Sequence, residues 1–212
     1  MTNSTKKNIK RKYSYADYIQ WDNDKRYEII EGVVYDMNAP LRFHQEILVE
    51  LSRQFANYLK NHSCKIYVAP FDVRLPKRSR KNDKIHTVIQ PDISIVCDKN
   101  KLDKHGCVGA PDLIVEILSP STASKDHIKK RRLYEQHKVN EYWLVDPSNR
   151  IVTIYNLENK SYGKPQVFNA SAKIIPALFP ELEIDMSEVF PKLPKVVCEN
   201  PPPGYIEESE LE

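Results

Sequence analysis

The feature that most constrains the fold is a short apolar run at residues 113–118 that contains one glutamate, Glu116. A nearly continuous apolar run of this length is typical of a strand covered on both faces. Alternation along that strand places Asp112, Ile114, Glu116 and Leu118 on one face. An unpartnered buried carboxylate is costly, so Glu116 is expected to have a cationic partner or a metal ion.

The patterns on either side of this run predict alternating helices and strands within one domain, since 212 residues suit a single core. Helices are predicted at residues 13–21, 44–59 and 123–138. Strands are predicted at 27–37 (a hairpin around Glu31-Gly32), 65–75, 86–96, 112–118, 141–145 and 150–155. This order indicates an α/β fold of the α+β type, with a mixed sheet flanked by helices. We expect a disordered basic arm at 1–12, the domain at 13–190 and a flexible, proline-rich acidic tail at 191–212.

Composition excludes several classes of protein. Hydrophobic residues make up 41% of the chain and charged residues 29%, which suits a globular protein. No apolar stretch approaches the roughly 20 residues that cross a bilayer, and the N-terminus has no secretory pattern. We therefore expect a cytoplasmic protein without a membrane partner. The net charge of +3 is too small to indicate nucleic-acid binding by itself.

The four cysteines, at positions 64, 97, 107 and 198, are widely spaced. Structural zinc sites cluster their ligands at short spacings, so free thiols in a reducing compartment are the favoured interpretation. A zinc site built from Cys97, His105 and Cys107 is the alternative.

A candidate metal site follows if the strand that carries Asp92 pairs beside the Glu116 strand. Two carboxylates on one face are the minimum for holding Mg²⁺ or Mn²⁺. Helical spacing of about 100° per residue turns Lys130 toward the sheet together with Leu133 and Tyr134, and leaves Lys129 as the second choice. A lysine there can orient water or neutralise charge on a phosphate. The alternative is that Glu116 and Lys130 are an ion pair that fastens helix to sheet.

Several motifs closely resemble the Uma-two family of restriction endonucleases, which is placed in the PD-(D/E)XK nuclease superfamily. They are Tyr27-Glu28-Ile29-Ile30-Glu31-Gly32, Val68-Ala69-Pro70, Gln90-Pro91-Asp92, the segment from Gly109 to Thr122, Lys130 with Tyr134, and the segment from Glu141 to Pro147. The resemblance implies a restriction-endonuclease-like core in which Asp92 and Glu116 are the two motif acids. The usual lysine, two residues after the glutamate, is Leu118 here, and in such families the lysine moves to the next helix, which agrees with Lys130.

The resemblance implies a Mg²⁺- or Mn²⁺-dependent endonuclease that acts on nucleic acid, chiefly DNA, and such enzymes often work as homodimers. The rival hypothesis is a non-catalytic module that binds nucleic acid or protein and retains the nuclease fold.

Four further residues are candidates for supporting roles. Glu28 resembles the family's hairpin acid and either approaches the metal or lies exposed. His44 heads the second helix, as a base or as a locally satisfied residue. Asp112 either supports the site or caps its strand, and Tyr134 packs, with its hydroxyl directed at the site.

A basic loop is the candidate for contacting a nucleic-acid backbone. It contains Lys77, Arg78, Arg80 and Lys81 between two predicted strands. The alternative is a solvated hairpin tip.

Overall fold

The computed structural model describes residues 11–22 and 25–191. The predicted arm and tail lie almost wholly outside the described residues. Within the described ranges, none of the helices is both long enough and apolar enough to cross a membrane.

Residues 11–22 and 25–108 contain two helices and eight strands. They are α1 (Tyr15–Tyr18), β1 (Tyr27–Ile30), β2 (Val33–Asp36), α2 (Arg42–Leu59), β3 (Lys65–Val68), β4 (Asp72–Arg74), β5 (Val88–Ile89), β6 (Ile93–Val96), β7 (Leu102–Asp103) and β8 (Gly106–Val108). Short 3₁₀ turns occupy Asn82–Lys84 and Lys99–Lys101. Ser14 is the N-cap of α1, where it forms a capping box with Asp17.

The second half begins with β9 (Leu113–Ile117), the predicted buried strand. A π-helical segment, Lys125–Lys130, then continues into α3 (Arg131–Gln136). The remaining elements are β10 (Glu141–Asp146), β11 (Ile151–Glu158), β12 (Ser161–Tyr162), β13 (Gln166–Asn169), β14 (Lys173–Ile174), β15 (Ile184–Asp185) and α4 (Met186–Val189).

The strands form two mixed sheets and a small ribbon. The first sheet has the order β2-β1-β5-β4-β8-β7, and the second has the order β12-β11-β10-β9-β6-β3 with β13 also paired to β11. Each sheet contains one parallel pair, β4 with β8 and β9 with β10. The ribbon pairs β14 with β15. The predicted mixed α/β fold is confirmed.

Two segments predicted as single strands are each divided between the sheets. Residues 65–75 supply β3 to the second sheet and β4 to the first, with a cis Ala69-Pro70 peptide between them. Residues 86–96 supply β5 to the first sheet and β6 to the second, with Gln90-Pro91-Asp92 between them. Pro91 has no N–H to give to a sheet ladder. Asp92 therefore lies where the chain passes from one sheet to the other.

Helices cover both faces of the second sheet. Leu51 and Phe55 of α2 pack in one hydrophobic cluster with Val115 and Trp143. Leu133 and Tyr134 of α3 pack in a second cluster that includes Ile114, Tyr142 and Leu144. The alternation predicted for β9 is confirmed, and Glu116 shares the α3 side with Ile114.

The cysteines differ from the prediction. Cys64 and Cys97 form a disulfide, because the antiparallel register of β3 and β6 pairs Lys65 with Val96 and sets the two flanking cysteines opposite each other. Free thiols are thus the wrong prediction for this pair, and the zinc alternative is wrong because it requires the thiol of Cys97. Cys107 is free and buried, and Cys198 lies outside the described residues.

Candidate active site

Asp92 and Glu116 come from neighbouring strands and line one cavity of about 740 Å³. In the antiparallel register of β6 and β9, Ile93 pairs with Val115, and one further step places Asp92 opposite Glu116. The Ile117 N–H donates to Asp92 Oδ2 over 2.7 Å, which fixes the aspartate against the end of β9. The two predicted acids therefore lie side by side.

Glu116 is almost fully buried, with 4% of its surface exposed. Lys130 Nζ donates to Glu116 Oε1 over 2.8 Å, and the hydroxyl of Tyr134 donates to the same oxygen. The second oxygen, Oε2, accepts no hydrogen bond from any residue that the structure describes. Tyr134 lies behind Glu116 and does not line the cavity.

Glu28 is the most buried carboxylate near the cavity, which excludes the exposed alternative for this residue. It is held by three donors. Lys130 Nζ lies 2.8 Å from Oε1 and Lys125 Nζ lies 2.8 Å from Oε2, while the Gln90 N–H donates to Oε1 over 3.2 Å. A carboxylate between two ammonium groups fastens the β1–β2 hairpin to the helix that follows β9.

The π-helical segment explains how Lys125 and Lys130 both reach Glu28. Residues five apart in an α-helix point about 140° away from each other, since each residue turns the helix by roughly 100°. A π-helix has i→i+5 hydrogen bonds and brings such residues close to one line. The assumption of α-helical spacing therefore missed Lys125. Lys129 also lines the cavity but is exposed and does not contact Glu28 or Glu116, and its Nζ donates to the hydroxyl of Tyr35 over 2.9 Å.

Carboxylates outnumber cations around the cavity floor. Glu28, Asp92, Glu116 and Asp126 face the ammonium groups of Lys125 and Lys130, and Asp126 Oδ1 lies 3.5 Å from Lys130 Nζ. Asp126 is thus a further acid at the site, and it is not among the residues predicted from the sequence. An excess of buried negative charge favours either a bound proton or a bound cation.

The pKa shifts show where that proton resides. Burial raises the pKa of Glu116 to about 8, Lys130 opposes the rise, and Asp126 and Asp92 add to it. Burial also disfavours the charged form of Glu28, but Lys130 and Lys125 outweigh it and lower its pKa. Burial opposes the charge of Lys130 as well, yet Glu116, Glu28 and Asp126 hold its pKa well above the usual value. Near neutral pH, Lys130 and Glu28 are thus ionised and Glu116 carries a proton.

His44 contacts Asp92 from the first turn of α2. Its Nε2 lies 3.2 Å from Asp92 Oδ1, and it lines the cavity. Its Nδ1 is buried and has no hydrogen-bond partner among the described residues. The imidazole and the Ile117 N–H therefore approach opposite oxygens of the same aspartate.

Two predicted groups lie away from the cavity. Asp112 caps the start of its strand, because its Oδ2 accepts the Cys97 N–H over 2.8 Å and Lys101 lies 3.7 Å away. In the basic loop, Lys77 pairs with Glu31 over 2.6 Å and Arg80 donates to the Val108 carbonyl over 3.0 Å. Neither Asp112 nor any of Lys77, Arg78, Arg80 and Lys81 lines the cavity.

Comparison with known proteins identifies the family. The model of the Uma2 family, described as "Putative restriction endonuclease", matches residues 15–187. The chain belongs to the Uma2 family.

The chain is also similar to one protein of known sequence and to one of known structure. The "Uncharacterized protein slr1290" of Synechocystis is 30% identical over 148 residues, which cover 68% of this chain and 74% of that protein. A crystal structure from Anabaena variabilis, described as a "putative nuclease belonging to DUF820", has a TM-score of 0.68 at 20% identity. The match covers 84% of this chain and 97% of that one, and it shows a shared fold.

Leu118, two residues after Glu116, packs in the hydrophobic cluster that contains Leu133 of this Uma2 chain. The ammonium group next to Glu116 comes instead from Lys130 of the following helix.

The donor atoms of this Uma2 site fit a hard divalent cation. Among residues 11–22 and 25–191, no group of three or more His, Cys, Asp or Glu side chains is arranged to hold a metal. The two adjacent carboxylates that could hold an ion at this cavity are those of Asp92 and Glu116. Mg²⁺ commonly binds through one or two carboxylates and fills its remaining positions with water and substrate phosphate. Glu116 Oε2 is available for this role, and the local excess of carboxylate favours a cation.

Proposed function

We propose that this Uma2 chain is a metal-dependent endonuclease that hydrolyses phosphodiester bonds of nucleic acid, with DNA as its substrate. The observation that carries the proposal is the pairing of Asp92 with Glu116 at one cavity, with Lys130 Nζ 2.8 Å from Glu116 Oε1. The family model that matches the chain is described as "Putative restriction endonuclease", and two carboxylates beside a lysine suit metal-assisted hydrolysis of a phosphodiester.

Asp92 and Glu116 would hold Mg²⁺ or Mn²⁺. A divalent ion supplies Lewis-acid stabilisation of charge on the phosphate and lowers the pKa of bound water. The protein's own groups prepare for this. The Ile117 N–H and His44 orient Asp92, and Glu116 must release its proton before it can act as a ligand. The charged ammonium of Lys130 stabilises negative charge that develops on the phosphate.

The second candidate function is a non-catalytic module that binds nucleic acid or protein. The observation that favours it is the saturation of Lys130, whose ammonium contacts Glu28, Glu116 and Asp126 at once. Such a network fastens the helix to both sheets without any metal. The two functions make different demands on Glu116, since only the nuclease needs this residue to lose its proton and bind an ion.

The test is cleavage of labelled single-stranded and duplex DNA by the purified full chain with Mg²⁺, with Mn²⁺ and with EDTA. The variants are Asp92→Ala and, as a matched control from the same pair of strands, Asp112→Asn. We expect cleavage that needs metal, falls by at least about 100-fold in Asp92→Ala and persists in Asp112→Asn. Equal cleavage by Asp92→Ala, or no cleavage by the wild type with either metal, would contradict the proposal.

A nuclease that cuts both strands of a duplex often works as a symmetric pair, so we also propose a homodimer. Sedimentation of the full chain with and without duplex DNA tests this. A monomer under both conditions would contradict it.

A further inference from the structure

Two basic residues of the cavity wall have neutral partners. Lys129 Nζ donates to the Tyr35 hydroxyl over 2.9 Å and lies 4.9 Å from the ring centroid. Arg26 donates through Nε and Nη2 to Gln90 Oε1, over 3.0 and 2.7 Å. Within the described part of the chain, neither residue has a carboxylate within 4 Å. A hydrogen bond to a hydroxyl or amide oxygen orients a cation but leaves its charge uncompensated.

The hairpin register places these residues beside the reaction site. Tyr35 of β2 pairs directly with Glu28 of β1, and Arg26 precedes Glu28 by two positions, so all three share the cavity side of the hairpin. Lys125 Nζ lies between them, 2.8 Å from Glu28 and 5.6 Å from the Tyr35 ring centroid. The ammonium groups therefore run from exposed Lys129, through half-buried Lys125, to Lys130 at the floor. Buried carboxylates compensate the inner two, so the uncompensated positive charge lies at the rim.

We infer that Lys129 with Tyr35, together with Arg26, forms a phosphate-binding rim for the substrate strand. This inference rests on the proposed function, because it assigns the phosphates on either side of the one that is cut. The rim is assigned in preference to the basic loop because Lys129 and Arg26 line the cavity, whereas Lys77 and Arg80 do not. The exposed ammonium of Lys77 also has a carboxylate partner, Glu31, at 2.6 Å.

The apolar side chains at the cavity indicate an unpaired strand. Leu41 and Ile128 both line the cavity, yet 66% and 50% of their surfaces are exposed. Exposed aliphatic groups beside basic residues suit bases that have left the stack, since sites that take an unstacked base hold it between aromatic or apolar side chains. Proteins that bind single strands add a basic groove that follows the backbone. The rim is therefore assigned to a single-stranded segment.

The experiment measures binding separately from cleavage. Fluorescein-labelled single-stranded and duplex DNA of equal length and sequence are titrated with the full chain in EDTA, by fluorescence anisotropy, over a series of salt concentrations. The variants are Lys129→Ala, Arg26→Ala and Tyr35→Phe, with Lys77→Ala as the matched control. Circular dichroism melts check that each variant is folded.

We expect the single strand to bind more tightly than the duplex. Lys129→Ala and Arg26→Ala should each weaken its binding by about 3- to 10-fold and lower the salt slope by about 0.7, the value for one lost phosphate contact on a single strand. Tyr35→Phe should have a smaller effect in the same direction, and Lys77→Ala none.

Two outcomes would overturn the rim. One is wild-type binding by both rim variants, and the other is an equal or larger loss in Lys77→Ala. Tighter binding of the duplex would overturn the assignment to an unpaired strand. The expected binding losses in a chain that cleaves nothing would support the rim and refute the nuclease. Metal-dependent cleavage with unchanged binding by the rim variants would refute the rim alone.

Discussion

The ammonium group of Lys130 lies 2.8 Å from the carboxylate of Glu116, and this contact joins the helix after β9 to the strand itself. The same ammonium lies 2.8 Å from Glu28, on a hairpin of the other sheet. One cation thus connects three elements beneath the cavity. Burial raises the pKa of Glu116 to about 8, Lys130 only partly opposes the rise because its charge is shared with other carboxylates, and Glu116 therefore retains a proton near neutral pH.

Glu28→Gln should destabilise the fold strongly, because it leaves Lys125 and Lys130 without the carboxylate that lies between them. Breaking a buried charged contact costs about 3–5 kcal/mol of unfolding free energy. Glu31→Gln, three residues along the same hairpin, removes an exposed pair with Lys77 and should cost less than about 1 kcal/mol. Urea unfolding of both variants checks the contrast, and similar losses would contradict the account of Glu28.

Much of the fold is predictable from local patterns. The capping box at Ser14, the hairpin around Glu31-Gly32 and the second helix all follow from short-range chemistry. The alternation of β9 also places Glu116 on the α3 side. The prediction that Asp92 lies beside Glu116 required one assumption, namely that their strands are neighbours in the sheet.

The remaining features depend on contacts between distant segments. The π-helical turn brings both Lys125 and Lys130 to Glu28, a residue about a hundred positions earlier, and α-helical spacing gives no sign of it. The burial of Glu28 depends on those same lysines. The Cys64–Cys97 disulfide depends on the register of β3 and β6. Pro91 was visible in the sequence, but its division of the strand between two sheets was not.

The stability of the Glu116→Gln variant relative to the wild type should rise with pH. The folded-state pKa of Glu116 is about 8, above its value of 4.5 in the unfolded chain, so the folded wild type holds a proton that the unfolded chain has released. Wild-type stability therefore declines between about pH 4.5 and 8 because of this group, whereas glutamine does not titrate and makes no pH-dependent contribution.

The difference in unfolding free energy between Glu116→Gln and the wild type should change by about 1 kcal/mol per pH unit between about pH 4.5 and 8. Urea unfolding in EDTA at pH 5, 6.5 and 8 measures it. Glu28→Gln is the contrast. The pKa of Glu28 is lowered in the folded chain, so its contribution to the free energy of unfolding is complete above about pH 4.5. The free energy of unfolding that Glu28→Gln loses relative to the wild type should therefore stay constant from pH 5 to 8. A difference for Glu116→Gln that is independent of pH would contradict the protonated state.

His44→Ala should weaken metal-dependent cleavage without abolishing it. His44 contacts Asp92 and is one of two groups that orient it, and loss of such an outer partner typically costs 10- to 100-fold in metal affinity or activity. The concentration of Mn²⁺ that gives half-maximal cleavage should rise by about 10-fold. Gln45→Ala, the next residue of α2 and also at the cavity, is the control and should behave as the wild type. An unchanged Mn²⁺ requirement in His44→Ala would remove this role.

The most direct test of the metal site is thermal melting at pH 8 of the wild type and Glu116→Gln, each with and without millimolar Mn²⁺. An ion bound only by the folded state raises its stability by mass action, about 2.7 kcal/mol at a hundred times the dissociation constant. Glu141→Gln, a buried glutamate outside the cavity, is the control and should keep the shift. We predict a wild type that Mn²⁺ stabilises, and a Glu116→Gln variant that melts no lower without metal and ignores Mn²⁺. A wild type indifferent to Mn²⁺ beside a strongly destabilised Glu116→Gln would contradict the metal site and leave only an ion pair that fastens helix to sheet.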